Sequence, residues 1–151
     1  MAVAGQIIQN IDIDGIKAVL PHREPFLLID HIVRCEVAKS CVAQWHLSGE
    51  ESFYQGHFPG MPVTPGVLLL ESLAQAGAFA VLSQEGMEGV IALFAKADKV
   101  KFRKQVLPGD TLRLEIEMTR LSKVGGHGVG TAYVGEEMAC QGELTFVFAR
   151  G

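Results

Sequence analysis

A histidine and a glutamate, His57 and Glu71, flank a bend rich in proline and glycine, HFPGMPVTPG, that opens into a long apolar segment. A carboxyl set among leucines loses its solvation, which raises its pKa and lets it hold a proton near neutrality. A neutral imidazole can accept one. An acid and a base poised in this way suit removal of a proton beside a carbonyl and expulsion of a hydroxyl. Between them lies Gly66, at the positive end of the coming helix. Its N–H can hydrogen-bond a carbonyl oxygen as charge builds on it, and the missing side chain lets a ligand approach the backbone. Taken singly, His57 would be a packed histidine and Glu71 a carboxylate bonded to local N–H groups. Together, across the start of one helix, they read as a catalytic pair.

The elements that must position this pair follow from local pattern. Thr64 suits an N-cap and Pro65 the first helical position, where its missing N–H costs nothing. Residues 67–82 contain no proline and are mostly Leu and Ala. At roughly 100° per residue, Glu71, Ser72 and Gln75 share one arc of about 100° and nearly everything else is apolar, so the helix is buried. Upstream, a short helix is expected over residues 11–20, begun by Asp12 or Asp14 and stopped at Pro21. Strands follow near residues 26–35 and 39–47, and residues 50–65 form a structured loop. After a turn at residues 86–89, strands are expected at 90–97 and 99–106, then a turn at Pro108-Gly109-Asp110. Residues 111–118 alternate, with Leu112, Leu114, Ile116 and Met118 on one face and Arg113, Glu115 and Glu117 on the other, as in a half-buried antiparallel strand. The alternation slips by one at Arg120, which implies a bulge or strand end near Thr119. A final hairpin joins residues 128–134 to 138–149 around Gly135-Glu136-Glu137. A sheet wrapped on a single helix satisfies the whole pattern.

The chain has 151 residues, 48% hydrophobic and 20% charged, which suits a single domain over residues 1–151 with a sizeable core. A net charge of −4 argues against general nucleic-acid binding. Cys35, Cys41 and Cys140 lack metal spacing and suggest reduced core thiols in a cytoplasmic protein. The amino terminus shows no basic stretch followed by an apolar run, and the apolar helix is too short and too polar for a membrane span. His22, His31, His46 and His127 share no metal spacing, so no metal site is expected. Gly126-x-Gly128-x-Gly130 departs from the dinucleotide-binding pattern and precedes no helix, so it reads as a glycine-rich hairpin.

The run HFPG-x-P-x-x-PGV-LLLE-x-LAQ closely resembles the active-site segment of the β-hydroxyacyl-(acyl-carrier-protein) dehydratases of type II fatty-acid synthesis, the FabZ-like family. Leu20-Pro21-His22-Arg23, Pro25-Phe26-Leu27-Leu28 and Asp30 resemble its amino-terminal signature. Asp98-Lys99-Val100-Lys101-Phe102-Arg103, with Val106, Pro108, Gly109 and Asp110, resembles its later strand and turn. The resemblance implies a hotdog fold, with the long helix as the sausage, and a homodimer whose sheets join edge to edge, such dimers often associating as trimers of dimers. It implies His57 as the catalytic histidine, Glu71 as the catalytic acid supplied by the partner subunit, Gly66 as the oxyanion N–H donor and Gln75 as a neighbour that orients the acid. It further implies a cofactor-free lyase that dehydrates a (3R)-3-hydroxyacyl chain on acyl carrier protein to the trans-2-enoyl thioester. Glu at position 71 resembles the dehydratase-only branch. Met61, Thr64 and Ser72 depart from the family's common residues, as does the run of residues 124–130.

Five of the 13 basic residues fall within residues 96–104: Lys96, Lys99, Lys101, Arg103 and Lys104. Such crowding suits docking of an acidic carrier protein, with Lys99, Lys101, Arg103 and Lys104 as the contact. It also suits the plain solvent face of an alternating strand, and both readings stand at this point. Two other activities fit the same outline, a hotdog hydratase or thioesterase acting on acyl-CoA and a non-catalytic acyl-binding paralogue. The absence of an Asp-x4-His pairing weakens the hydratase, and the presence of both His57 and Glu71 weakens the paralogue.

Overall fold

The computed structural model describes residues 2–150. Its centre is helix α2, Gly66–Leu82. Every residue from 72 to 82 is buried, as expected for a helix without a polar face. Ser72 is accommodated by donating its hydroxyl to the Leu69 carbonyl at 2.8 Å. Thr64 does not cap the helix. Pro65 is the N-cap and no side chain bonds the first turn, because the Thr64 hydroxyl is buried against the Tyr54 hydroxyl at 2.7 Å.

Around α2 runs a seven-stranded antiparallel sheet. Its strands are β1 Ile7–Ile11, β2 His31–Glu36, β3 Ser40–His46, β4 Val90–Phe102, β5 Thr111–Leu121, β6 Gly125–Val134 and β7 Glu137–Arg150. They lie in the order β1-β2-β3-β5-β6-β7-β4, which leaves β1 and β4 at the edges. The helix packs on β3, β4, β5, β6 and β7. This is the hotdog arrangement, and its core is the layer between helix and sheet, filled by Leu69, Leu73, Phe79, Ala43, Leu112, Leu114 and Leu144 among others.

Glycine lets the two layers approach. A Cβ on Gly77 would stand 2.9 Å from Ile116 and 3.2 Å from Phe146, and one on Gly130 would stand 3.3 Å from Leu73. The glycine-rich run of β6 is therefore a strand thinned to admit the helix.

The strand β5 keeps the expected faces, with Leu112, Leu114 and Ile116 buried. Its register shifts between Met118 and Arg120, where the alternation slips. Three further expectations need correction. Residues 90–97 and 99–106 are not two strands: β4 is continuous to Phe102, and the kink between them is a bulge, with Lys99 at φ 52° and a register shift between Asp98 and Lys101. The early helix, α1, covers only Ile13–Lys17, capped by Asp12, whose side chain accepts from the Gly15 N–H. The chain before it forms β1, which the sequence pattern did not reveal. Residues 26–30 are not strand, since their backbone bonds to the Gln75 side chain instead.

Cys35 and Cys41 face each other across β2 and β3. Both are free and buried, as is Cys140. Burial pushes the Cys140 thiol up to about 12, out of the reactive range.

Candidate functional site

His57 sits in the loop between the 3-10 turn Ser52–Gln55 and α2. Two bonds tie it to Val63: the Val63 N–H donates to the His57 carbonyl at 2.9 Å, and the ring Nδ1 lies 2.8 Å from the Val63 carbonyl. A carbonyl only accepts, so Nδ1 is the donor, and in the neutral imidazole this places the lone pair on Nε2. The Phe58 ring stacks on the imidazole, with centroids 3.9 Å apart. The loop is anchored further along by the Thr64 N–H, which donates to the Val106 carbonyl at 2.8 Å. His57 opens on a cleft of about 560 Å³ lined also by Gly66, Val67, Phe102, Arg103 and Lys104.

Gly66 begins α2, and among the described residues its N–H has no backbone acceptor. The helix dipole adds positive potential at that point. The space where a Cβ would stand holds the Phe102 ring, 2.9 Å away. Close packing by Phe102 therefore requires glycine here, in addition to any close approach of a ligand.

Glu71 stands one and a half turns into α2 and faces a different cleft, of about 390 Å³, lined by Pro21, His22, Phe26, Gln75, Ile91, Leu93, Phe94 and Phe146 among others. Burial pushes its carboxyl pKa up, and the hydrogen bond from Gln75 only partly opposes this. Gln75 has a clear task. Its Oε1 accepts from the Leu28 N–H at 2.8 Å. Its Nε2 donates to the Phe26 carbonyl at 2.9 Å and to Glu71 Oε2 at 2.9 Å. The amide thus fixes the acid to the amino-terminal segment.

That segment, whose sequence stands out without revealing its purpose, builds the wall of the Glu71 cleft. Arg23 donates to the carbonyls of Leu20 at 2.8 Å, His22 at 2.6 Å and Lys17 at 3.1 Å, folding the chain tightly after α1. Asp30 accepts from the His46 N–H at 2.7 Å and ties the segment's end to β3. His22, which the sequence offers as part of the amino-terminal signature but with no assigned role, is brought within 3.8 Å of Glu71 Oε2 through its Nε2. Only its position inside the Leu20-Pro21-His22-Arg23 signature could have drawn attention to it.

Of the basic residues on and after β4, Lys96 pairs with Asp98 at 3.1 Å, Lys99 with Glu143 at 3.3 Å and Lys104 with Glu137 at 3.6 Å. Among the described residues, Lys101 and Arg103 are exposed and make no ion pair. Arg103 and Lys104 line the His57 cleft. No group of three metal-ligating side chains occurs among the described residues, and no helix there is long and apolar enough to cross a membrane.

One long helix enclosed by a continuous antiparallel sheet, with an imidazole before its amino end and a partly buried carboxyl on its second turn, defines a hotdog protein. Solved structures share the fold at low identity. A dehydratase heterocomplex from Xenorhabdus doucetiae aligns with TM-score 0.72 and 15% identity, over 89% of this chain and 91% of that one. A hypothetical thioesterase with coenzyme A from Streptococcus pneumoniae aligns with TM-score 0.56 and 11% identity, over 76% and 81% of the two chains. The family is set by closer relatives. The FabA-like domain model matches residues 20–143. The 3-hydroxyacyl-[acyl-carrier-protein] dehydratase FabZ of Clostridium kluyveri is 53% identical over 91% of this chain and 96% of the relative. That of Moorella thermoacetica is 51% identical over 90% and 95%. The chain belongs to the FabA-like family and, within it, to the FabZ dehydratases.

Proposed function

We propose that this protein dehydrates 3-hydroxyacyl chains carried on acyl carrier protein in fatty-acid biosynthesis, at a site shared by two copies of the chain. One observation carries the reading: within a single chain His57 and Glu71 open into separate clefts. The strand β4 passes both. Ile91, Leu93 and Phe94 line the Glu71 cleft, and Phe102 lines the His57 cleft. β4 is also an edge of the sheet, and an uncovered edge is a template for pairing. Antiparallel pairing of two copies of β4 about its middle carries the Phe102 end of one onto the Leu93 end of the other. That brings His57 of one copy to Glu71 of the second. Val67, Leu93 and Phe102, each at least half exposed in one chain, support such a covered interface. Exposed Val124, Val129 and Val147 leave apolar surface for further association of such dimers, and the family resemblance implies that they gather as trimers of dimers.

The chemistry follows from the two half-sites. His57 Nε2 takes the proton from the carbon beside the thioester carbonyl, while Val63 holds the opposite nitrogen as N–H. Charge moving onto the thioester oxygen meets the Gly66 N–H at the positive end of α2. Glu71, whose pKa burial raises, is the group that gives a proton to the 3-hydroxyl, which leaves as water. The C2–H and C3–O bonds break, the C2–C3 double bond forms, and no electron acceptor is needed. Lys101 and Arg103, which make no ion pair among the described residues, are the docking contact for the acidic carrier, with Arg103 and Lys104 lining the His57 cleft. Buried free thiols suit a reducing, cytoplasmic setting.

The test is direct. Supplied with 3-hydroxybutyryl carrier protein, the protein should generate enoyl-thioester absorbance. Thiol release without enoyl product would favour the thioesterase reading, and binding without turnover the acyl-binding one.

A further inference from the structure

The Glu71 cleft holds one titratable side chain besides the acid, and it is His22. Its ring is only 20% exposed. Nδ1 is buried with no hydrogen-bond partner, while Nε2 points at Glu71 Oε2 from 3.8 Å, beyond hydrogen-bond reach. Burial, and secondarily the adjoining Arg23 guanidinium, hold the His22 pKa down. A neutral imidazole has a single N–H. On Nδ1 it would be stranded in the interior, whereas on Nε2 it faces the one carboxyl in the cleft. Glu71 already accepts from Gln75. While the acid keeps its proton a second donor is not required. Once the proton has left, the carboxylate needs one, and a small side-chain rotation closes the remaining gap.

We propose that His22 is a positioning residue for the acid: its Nε2–H receives the Glu71 carboxylate formed when the hydroxyl departs, and holds it for reprotonation. This rests on the acid role given to Glu71 above. The groups facing the pair are few. Arg23 adjoins His22 in the loop, the Gln75 amide adjoins Glu71 on α2, and β4 and β7 contribute only Ile91, Ala92, Leu93, Phe94 and Phe146. In the paired arrangement His57 of the second copy joins them. Protonated His22 would draw the proton off Glu71 and disable it, so the neutral imidazole is the working form.

Two variants test the role. In His22→Leu, kcat should fall about tenfold to a hundredfold, with KM within about twofold. Its donor no longer favours the carboxylate, so the basic limb of the pH–rate profile should move to higher pH. His22→Gln, which restores an N–H, should recover most of the rate and return the limb. A rate loss with an unmoved limb, or Gln no better than Leu, overturns the proposal.

A measurement without turnover separates it from the dehydratase reading. The Glu71 carboxyl carbon, labelled with 13C and assigned through Glu71→Gln, should titrate higher in His22→Leu than in wild type or His22→Gln. The 15N signals of His22 in wild type, which need no variant to fold, should show hydrogen on Nε2 and none on Nδ1. Wild type that dehydrates no carrier-bound substrate sinks the dehydratase reading alone, while an unmoved carboxyl titration or the opposite tautomer sinks the role of His22 alone.

Discussion

Replacing Gln75 by leucine is a sharp test of how the acid is held. The side chain is 1% exposed, and leucine is close to it in volume, so packing is largely kept. Three hydrogen bonds are lost: to the Leu28 N–H, the Phe26 carbonyl and Glu71. Phe26 is half exposed and water can re-engage its carbonyl, but Leu28 is 3% exposed. Its N–H would be left without an acceptor, at about 1–3 kcal/mol, and the bond to Glu71 adds about 1 kcal/mol. A total of about 3 kcal/mol predicts a Tm lower by about 6–12 °C for a chain of this length, read by calorimetry at fixed protein concentration. A second effect has its own sign. The Gln75 bond holds the Glu71 pKa down against burial, so its loss should push that pKa higher and move the basic limb of activity up. A carboxyl with a raised folded pKa stabilises the fold below its unfolded pKa and withdraws that support as pH rises through the folded value. The stability deficit of Gln75→Leu should therefore widen from pH 5 to pH 9. A Tm within a degree or two of wild type, or a deficit that narrows with pH, would refute this account of the bridge.

Three other perturbations probe separate parts. His57→Ala and Glu71→Ala should each lower kcat by about two or more orders of magnitude while shifting the thermal midpoint by no more than about 2–4 °C, and near-normal turnover in either would remove that residue from the mechanism. Reversing Lys101 and Arg103 to glutamate should raise KM for carrier-bound substrate much more than for a short CoA thioester, and equal increases would return both residues to a plain solvated face. Gly125→Ala should destabilise by about 1–3 kcal/mol in urea titration, because its Cβ would overlap the Phe146 carbonyl oxygen across the β6–β7 ladder. An unchanged midpoint would mean that this end of the hairpin is loose.

What could be read in advance was whatever local periodicity dictates. The apolar run of α2, the alternation of β5 and the slip at Arg120 each follow from side chains meeting one buried surface, and each is found. The failures lie where a distant partner decides. β1 is IIQNI, too short and too irregular to show alternation, and β2 supplies its ladder. Residues 26–30 carry strand-like Phe, Leu and Ile, yet their backbone finds the Gln75 amide, 47 residues away in the bond to Leu28. Thr64 has the right chemistry for a cap and is drawn off by Tyr54. In β4 the charged pair Asp98-Lys99 looks like a strand end, but a bulge carries the ladder onward against β7. The site was legible to the same degree. His57 and Glu71 stand out in one motif, whereas the approach of His22 to Glu71 depends on a fold-back, tied by Arg23, that no local pattern reveals.

The central claim is that the base of one copy works with the acid of another, and mixing variants tests it most directly. His57→Ala and Glu71→Ala proteins, each inactive, are combined under conditions that exchange subunits, and turnover of 3-hydroxyacyl carrier protein is followed. Random pairing makes about half the dimers hybrid, each with one intact and one doubly damaged site, so activity should return to about a quarter of wild type. No recovery, with exchange verified independently, would contradict the shared site.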